Sequence, residues 1–235
     1  MIIYKLISQH LKHRDNEDFY ELQASDAVHW MEKWGVPFRP GTTVLDLGCG
    51  HGIFGACLAK RGCNVVFSDE ANTLMPALAG SRYITCNLDQ DDLSKLGTFD
   101  VVICSNVYEH LSKPDRFLEN MAKVLKPGGF LFLSWTNWLS PWGGHEFSPF
   151  HYLGANHGHL IYDKIFKRPR YHTPYQNLFP TYIGQTLKKI RRTSNLRVLR
   201  AFPRYYPEFS LIMKIPLLRE FVGWNCAMII QKRQT

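Results

Sequence analysis

The sequence predicts an α/β fold, a doubly wound sheet with helices on both faces, and three observations carry that reading. Val44-Leu45-Asp46-Leu47 runs into Gly48-Cys49-Gly50-His51-Gly52, and residues 53–61 follow with a helical pattern, so strand, tight turn and helix succeed one another. Residues 64–68 form a second apolar run that stops at Asp69-Glu70; Asp69 lies 23 residues after Asp46, close to the ~20 of a βαβ unit. Residues 98–104 form a third run, ahead of a helical pattern over 114–125 and a strand over 130–135. Strands alternating with helices build parallel sheets. A chain of 235 residues with 45% hydrophobic content can bury the core such a sheet needs.

Glycine at 48, 50 and 52 removes the Cβ, so a ligand can lie against the backbone and meet the N–H groups at the helix start. A dinucleotide fingerprint, G-x-G-x-x-G, needs a third glycine where this chain has Ile53, which excludes that reading. The pattern present over residues 46–52 is D-x-G-x-G-x-G. It resembles the first motif of class I S-adenosylmethionine-dependent methyltransferases. The plainer alternative, an αβ turn that merely needs glycine, is opposed by the acidic start and the flanking strand and helix. The resemblance implies S-adenosyl-L-methionine as cofactor, contacted at Asp46, Gly48, Cys49, Gly50 and Gly52. It also implies a Rossmann-like seven-stranded sheet with the last strand antiparallel. Leu125-Lys126-Pro127-Gly128-Gly129 ahead of a strand resembles another family segment, a turn with no chemistry of its own.

Further cofactor positions follow from the resemblance. An acidic side chain ending the second strand accepts hydrogen bonds from ribose hydroxyls, and Asp69 matches that position better than Glu70. An ordinary N-cap for a helix over 71–78 competes. Asn87, after a short strand over 82–85, takes the place beside the adenine amino group, with Leu88 supplying a backbone N–H and an apolar face. A plain turn role for Asn87 competes. Ser105 and Asn106 resemble the segment lining the methionine end. Some quinone-biosynthesis O-methyltransferases carry E-x-x-E-H here and use it for a divalent metal. This chain has Asn106-x-x-Glu109-His110, lacking the first carboxylate, and two ligands seldom hold a divalent cation. No metal is expected.

Residues 136–180 separate the fifth strand from the next helical pattern, far more than the usual connection of about 2–6 residues. This aromatic- and His-rich insertion carries Trp138, Trp142, His145, Phe147, Phe150, His151, His157 and His159. Long loops at the carboxyl edge of a sheet tend to be lids, and aromatic walls suit a planar ring or a sugar face. In the family this segment commonly forms the acceptor pocket. His145 or His151 is the expected general base for an acceptor hydroxyl, with Glu146 orienting or assisting. Zinc in this loop is opposed by the absence of H-E-x-x-H spacing and of a nearby cysteine.

The rest of the chain is read by pattern. Residues 1–14 suggest a basic amphipathic helix, for the domain's own core or for a membrane surface, and 18–34 a second helix. A basic helix over 181–193, helical pieces over 209–221 and strands over 196–201 and 224–231 complete one methyltransferase domain: N-terminal helices (1–40), cofactor core (41–135), substrate lid (136–180) and C-terminal helix and strand pair (181–235).

Charge is uneven: through residue 159 there are 13 Lys+Arg against 17 Asp+Glu, and from 160 onward 15 against 3, so −4 and +12 make the overall +8. The basic third suits an anionic partner such as a phosphorylated or lipid-linked acceptor, a peripheral membrane surface or nucleic acid. Six scattered cysteines without a C-x-x-C pair read as reduced and the compartment as cytoplasmic, with no secretory signal or spanning helix. The expected reaction is O-methylation of a small-molecule, glycan or lipid-linked acceptor by a monomer or homodimer. The alternatives are an RNA-modifying methyltransferase and a non-catalytic S-adenosylmethionine-binding module.

Overall fold

The computed structural model describes residues 2–13, 17–193 and 195–234. In chain order its helices are α1 (Ile3–His13), α2 (Glu17–Lys33), α3 (Ile53–Ala59), α4 (Pro114–Val124), α5 (Ala155–Phe166), α6 (Ile183–Arg192) and α7 (Pro216–Val222). The strands are β1 (Thr43–Leu47), β2 (Asn64–Asp69), β3 (Tyr83–Thr85), β4 (Phe99–Ser105), β5 (Leu125–Thr136), β6 (Leu196–Pro203) and β7 (Asn225–Lys232). They form one sheet in the order β3-β2-β1-β4-β5-β7-β6. The first five strands are parallel, and β7 runs antiparallel to both β5 and β6. The chain winds outward from β1 to β3, then restarts at β4 on the other side of β1. That reversal opens a crevice at the carboxyl ends of β1 and β4, where open α/β sheets bind ligands.

Strand periodicity decides which residue faces which helix layer. On β4, Val101 and Ile103 pack on one side with Val28 and Met31 of α2 and Phe54 and Leu58 of α3. Val102 and Cys104 pack on the other with Phe117, Leu118 and Met121 of α4 and Ile183 and Ile190 of α6. The same alternation on β1 sends Leu45 and Leu47 to the α4 side and Val44 to the α3 side. Asp46, between them, must therefore face α3. Trp138, Phe147, Ala155 and Leu178 make a separate small core inside the insertion.

Several expectations are corrected. Residues 71–78 form only a 3-10 turn at Pro76–Leu78. Proline disfavours helical geometry in the residue before it, and Met75 is accordingly extended (φ −58°, ψ 150°). The insertion is not a bare loop: it contains α5, whose glycine Gly158 hides the helical pattern but is needed, because a Cβ there would overlap the Phe150 carbonyl. Strand β5 begins at Leu125 and absorbs the Lys126–Gly129 turn. Residues 209–221 divide into a 3-10 segment, Pro207–Lys214, and α7, with Pro216 starting the latter.

Helix α1 buries Ile2 and Leu6 beside it and leaves Tyr4 and Ile7 exposed, and Ile3 N–H donates to the Tyr205 carbonyl at 3.3 Å. Positions 1 and 14 of the expected helix lie outside the described residues. All six cysteines are free, and no described helix is long and apolar enough to cross a membrane.

Candidate active site

The glycine turn sits at the reversal point of the sheet, and its three glycines do different things. Gly48, Gly50 and Gly52 all have positive φ (69°, 51° and 78°), where a side chain is strained. A Cβ on Gly48 would lie 2.5 Å from Val107 Cγ2, and one on Gly52 would lie 2.6 Å from Leu74 and 2.7 Å from Leu78. Those two glycines permit close packing. A Cβ on Gly50 would meet nothing within 4 Å, so Gly50 borders the open space in which a ligand can lie on the backbone. Asp46 is buried, and its Oδ2 accepts from the Gly55 N–H at 2.7 Å. It holds the first turn of α3, as strand periodicity requires. Burial pushes its pKa up to about 7 against the lowering effect of that hydrogen bond, with the nearby Asp69 charge raising it further. Cys49 is half-buried; burial and the charges of Asp46 and Asp69 push its thiol up to about 12, so it is an inert wall group.

Asp69 closes β2 with its Oδ2 accepting from Gly50 N–H at 2.8 Å and its Oδ1 from Glu70 N–H at 2.8 Å. The carboxylate thus sits against Gly50, the glycine facing open space. Asn87 Nδ2 donates to Glu70 Oε1 at 2.8 Å, and its Oδ1 accepts from the Asp89 and Gln90 N–H groups. Asn87 builds the turn that presents buried Leu88, so the turn role weighed from sequence is realised. Ser105 and Asn106 are held by a residue the sequence did not single out, Arg204. The buried Arg204 guanidinium donates from Nη1 to Ser105 Oγ (3.0 Å) and Ser134 Oγ (3.2 Å) and reaches Asn106 Oδ1 at 3.4 Å. Its Nε has no hydrogen-bond partner among the described residues.

A cavity of about 340 Å³ opens at the carboxyl end of β5, lined by Thr136, Trp142, His145, Glu146 and His172. Strand β5 is two strands from β1, about 10 Å across the sheet. Glu146 accepts from His172 Nδ1 at 2.7 Å and from Tyr171 N–H at 3.2 Å. Burial pushes the Glu146 carboxyl up, but hydrogen bonds from its own N–H and from His172 outweigh this and hold it below the usual range. His172 is fixed from behind: Arg170 pairs with Asp163 of α5 through Nε (2.9 Å) and Nη2 (3.0 Å) and donates to the His172 carbonyl. The turn carrying His145 needs both preceding glycines. A Cβ on Gly143 would overlap the Trp138 carbonyl, and one on Gly144 would lie 2.7 Å from His151 Cβ.

The cavity therefore brings together His145 and Glu146 as expected, but not His151. That ring is 1% exposed, its Nε2 lies 3.0 Å from the Ser140 carbonyl, and it does not line the cavity. It packs beneath the turn against Trp138, which corrects its candidacy as a base. His145 has access, but burial first and the His172 and His110 rings second lower its pKa to about 3. It is neutral at physiological pH and a weak proton acceptor. The missed residue is His172. Nothing local marks it, since its carboxylate partner lies 26 residues away.

The chain matches the methyltransferase-domain family over residues 16–201. It is 34% identical over 231 residues to an uncharacterized methyltransferase of Mycobacteroides abscessus, an alignment covering 92% of this chain and 88% of that one. Among solved structures, it is similar to a SAM-dependent methyltransferase from Archaeoglobus fulgidus (TM-score 0.58, 15% identity, 97% of this chain and 100% of that one). It is also similar to the magnesium protoporphyrin IX methyltransferase of Synechocystis PCC 6803 with bound SAH (TM-score 0.57, 17% identity, 92% and 85%). With the glycine turn, the Asp69 carboxylate and the sheet order in agreement, this chain belongs to the class I S-adenosylmethionine-dependent methyltransferases.

Proposed function

We propose that the enzyme methylates a hydroxyl group of a small-molecule acceptor seated in the cavity under Trp142. The observation that carries this reading is the Glu146–His172 pair on the cavity wall. A volume of about 340 Å³ falls within the range of small-ligand sites. When bound, S-adenosylmethionine supplies a methyl carbon made electrophilic by its sulfonium. Gly50 would give the cofactor room and Asp69 would hold its ribose hydroxyls, while Asp46 keeps the start of α3 in register. An alcohol or phenol is a poor nucleophile until its proton leaves, so the chain must supply an acceptor for that proton. His172 donates its Nδ1 proton to Glu146, which leaves Nε2 with the lone pair. Glu146 stays ionised and stabilises the imidazolium that forms when Nε2 takes the hydroxyl proton. Trp142, edge-on against Trp224 at 5.0 Å, supplies an aromatic wall for the acceptor.

The test incubates the full-length enzyme with methyl-labelled S-adenosylmethionine and, separately, a small-metabolite extract, total RNA and total protein. Label in a small molecule as a methyl ether supports the reading. Label confined to RNA or protein overturns it.

A further inference from the structure

We propose that Glu109, His110 and His145 form a binding site for a divalent cation of the zinc class, a ligand set that the sequence spacing did not supply. Glu109 and His110 follow β4, whereas His145 arrives from the insertion. One ligand atom from each of the three lies within 4.8 Å of the others. Tetrahedral zinc, with bonds of about 2.1 Å, requires separations of about 3.4 Å, so a contraction of up to about 1.4 Å completes the site.

Three observations point to a cation site. Glu109 is 1% exposed; its Oε1 accepts from Thr136 N–H at 2.9 Å, while its Oε2 is buried without a hydrogen-bond partner among the described residues. His145 Nε2 is likewise buried without a partner among the described residues. Buried polar atoms are satisfied in folded proteins, and an orphaned carboxylate oxygen and an orphaned imidazole nitrogen on two residues of one cluster call for a shared positive centre. His110 Nδ1 lies 2.6 Å from the Asn177 carbonyl. A carbonyl only accepts, so Nδ1 carries the proton and Nε2 keeps the lone pair a metal needs. Asn177 is itself pinned, accepting from Thr173 N–H at 2.7 Å and donating to the Tyr171 carbonyl at 3.0 Å. Outer contacts of this kind orient metal-binding histidines. His145 also holds a left-handed backbone (φ 50°), a strained conformation for a non-glycine residue that metal sites and active sites retain.

The donor set selects the metal. Two imidazoles and one carboxylate suit zinc and its first-row neighbours, while magnesium prefers oxygen donors and water. Three protein ligands also leave a coordination position open. His145 also lines the cavity, so the cation site adjoins it. The inference goes beyond the methyl-transfer reading, because metal binding is read without turnover or an acceptor.

The experiment titrates the chelator-stripped, full-length protein with zinc and magnesium by calorimetry and with cobalt(II) by visible absorption. A single equivalent of zinc binding tighter than magnesium, together with a cobalt d–d band, is expected. Glu109→Gln and His145→Ala should each weaken zinc binding by about 100-fold or more, whereas exposed His157→Ala should leave it unchanged. S-adenosylmethionine binding by each variant reports that the domain is folded. If Glu109→Gln fails to fold, His145→Ala alone carries the test, since His145 lies in the insertion. No binding at millimolar metal, equal affinity for zinc and magnesium, or zinc binding unchanged in His145→Ala overturns the proposal.

Discussion

His172 Nδ1 stands 2.7 Å from Glu146 Oε2, and the pair joins two segments of the insertion 26 residues apart at the wall of the cavity. The Glu146 carboxylate grips two successive residues, since its other oxygen accepts from Tyr171 N–H. Arg170 ties the same strand of chain to Asp163 on α5. The imidazole is thus oriented by its hydrogen bond to Glu146 and its backbone by Arg170 rather than by packing alone, which suits a group whose proton must move in a fixed direction.

His172→Ala is expected to lower methyl transfer by about 10²–10⁴-fold while leaving S-adenosylmethionine affinity unchanged. Glu146→Gln should cost less, because its amide oxygen can still accept from Nδ1–H and only the charge that stabilises the imidazolium formed on transfer is lost. Initial rates and cofactor titrations on the two variants check this. A His172→Ala enzyme with full turnover would remove the imidazole from the proton path.

Asp69 holds the N–H of Gly50, the glycine that borders open space, as well as the Glu70 N–H. Asp69→Ala should weaken S-adenosylmethionine and S-adenosylhomocysteine alike, by about 1–3 kcal/mol for a lost charge-assisted hydrogen bond. Calorimetric titration measures both. Unchanged affinity would transfer the ribose contact to another residue, with Glu70 the nearest carboxylate in sequence.

The cofactor half of the site was readable because it is local: strand, glycine turn, helix and terminal carboxylate are contiguous or one βαβ unit apart. Strand alternation alone sends Asp46 to the α3 face. The acceptor half was not readable because its contacts are long-range. Glu146 finds His172 rather than His145, and Arg204 reaches Ser105 across 99 residues of sequence. His151 and His145 look alike as letters, and only burial beneath Trp138 separates them. The helix α5 was hidden by Gly158, which the backbone of Phe150 requires.

Alanine at Gly50 and at Gly52 should separate binding from stability. Gly52→Ala places a Cβ within 2.7 Å of both Leu74 and Leu78 at φ 78°, so thermal stability should fall by about 1–3 kcal/mol, as in overpacked cores. Gly50→Ala meets no neighbour and carries only the left-handed backbone cost of about 1–2 kcal/mol. Its Cβ occupies the cofactor's space, so its loss of S-adenosylmethionine affinity should be the larger of the two. Melting curves with and without cofactor distinguish the variants. Equal loss of affinity in both would mean that the turn as a whole, and not the open face at Gly50, receives the ligand.

Asp46 gives the fold a specific dependence on pH. Burial holds its proton up to about pH 7 in the native chain, whereas an unfolded carboxyl releases it near 3.8. Between those values the native state binds more protons than the unfolded state, so stability falls as pH rises. The contribution is complete below 3.8 and is lost as pH passes through about 7. Asp46→Asn removes this titration and keeps an oxygen that can accept from Gly55 N–H. The melting temperature of the parent protein minus that of the variant should therefore decline across this window and level off above it. Parallel melts in a buffer series make the measurement. A difference that stays constant with pH would show Asp46 ionised throughout, its charge balanced by the Gly55 N–H and the start of α3.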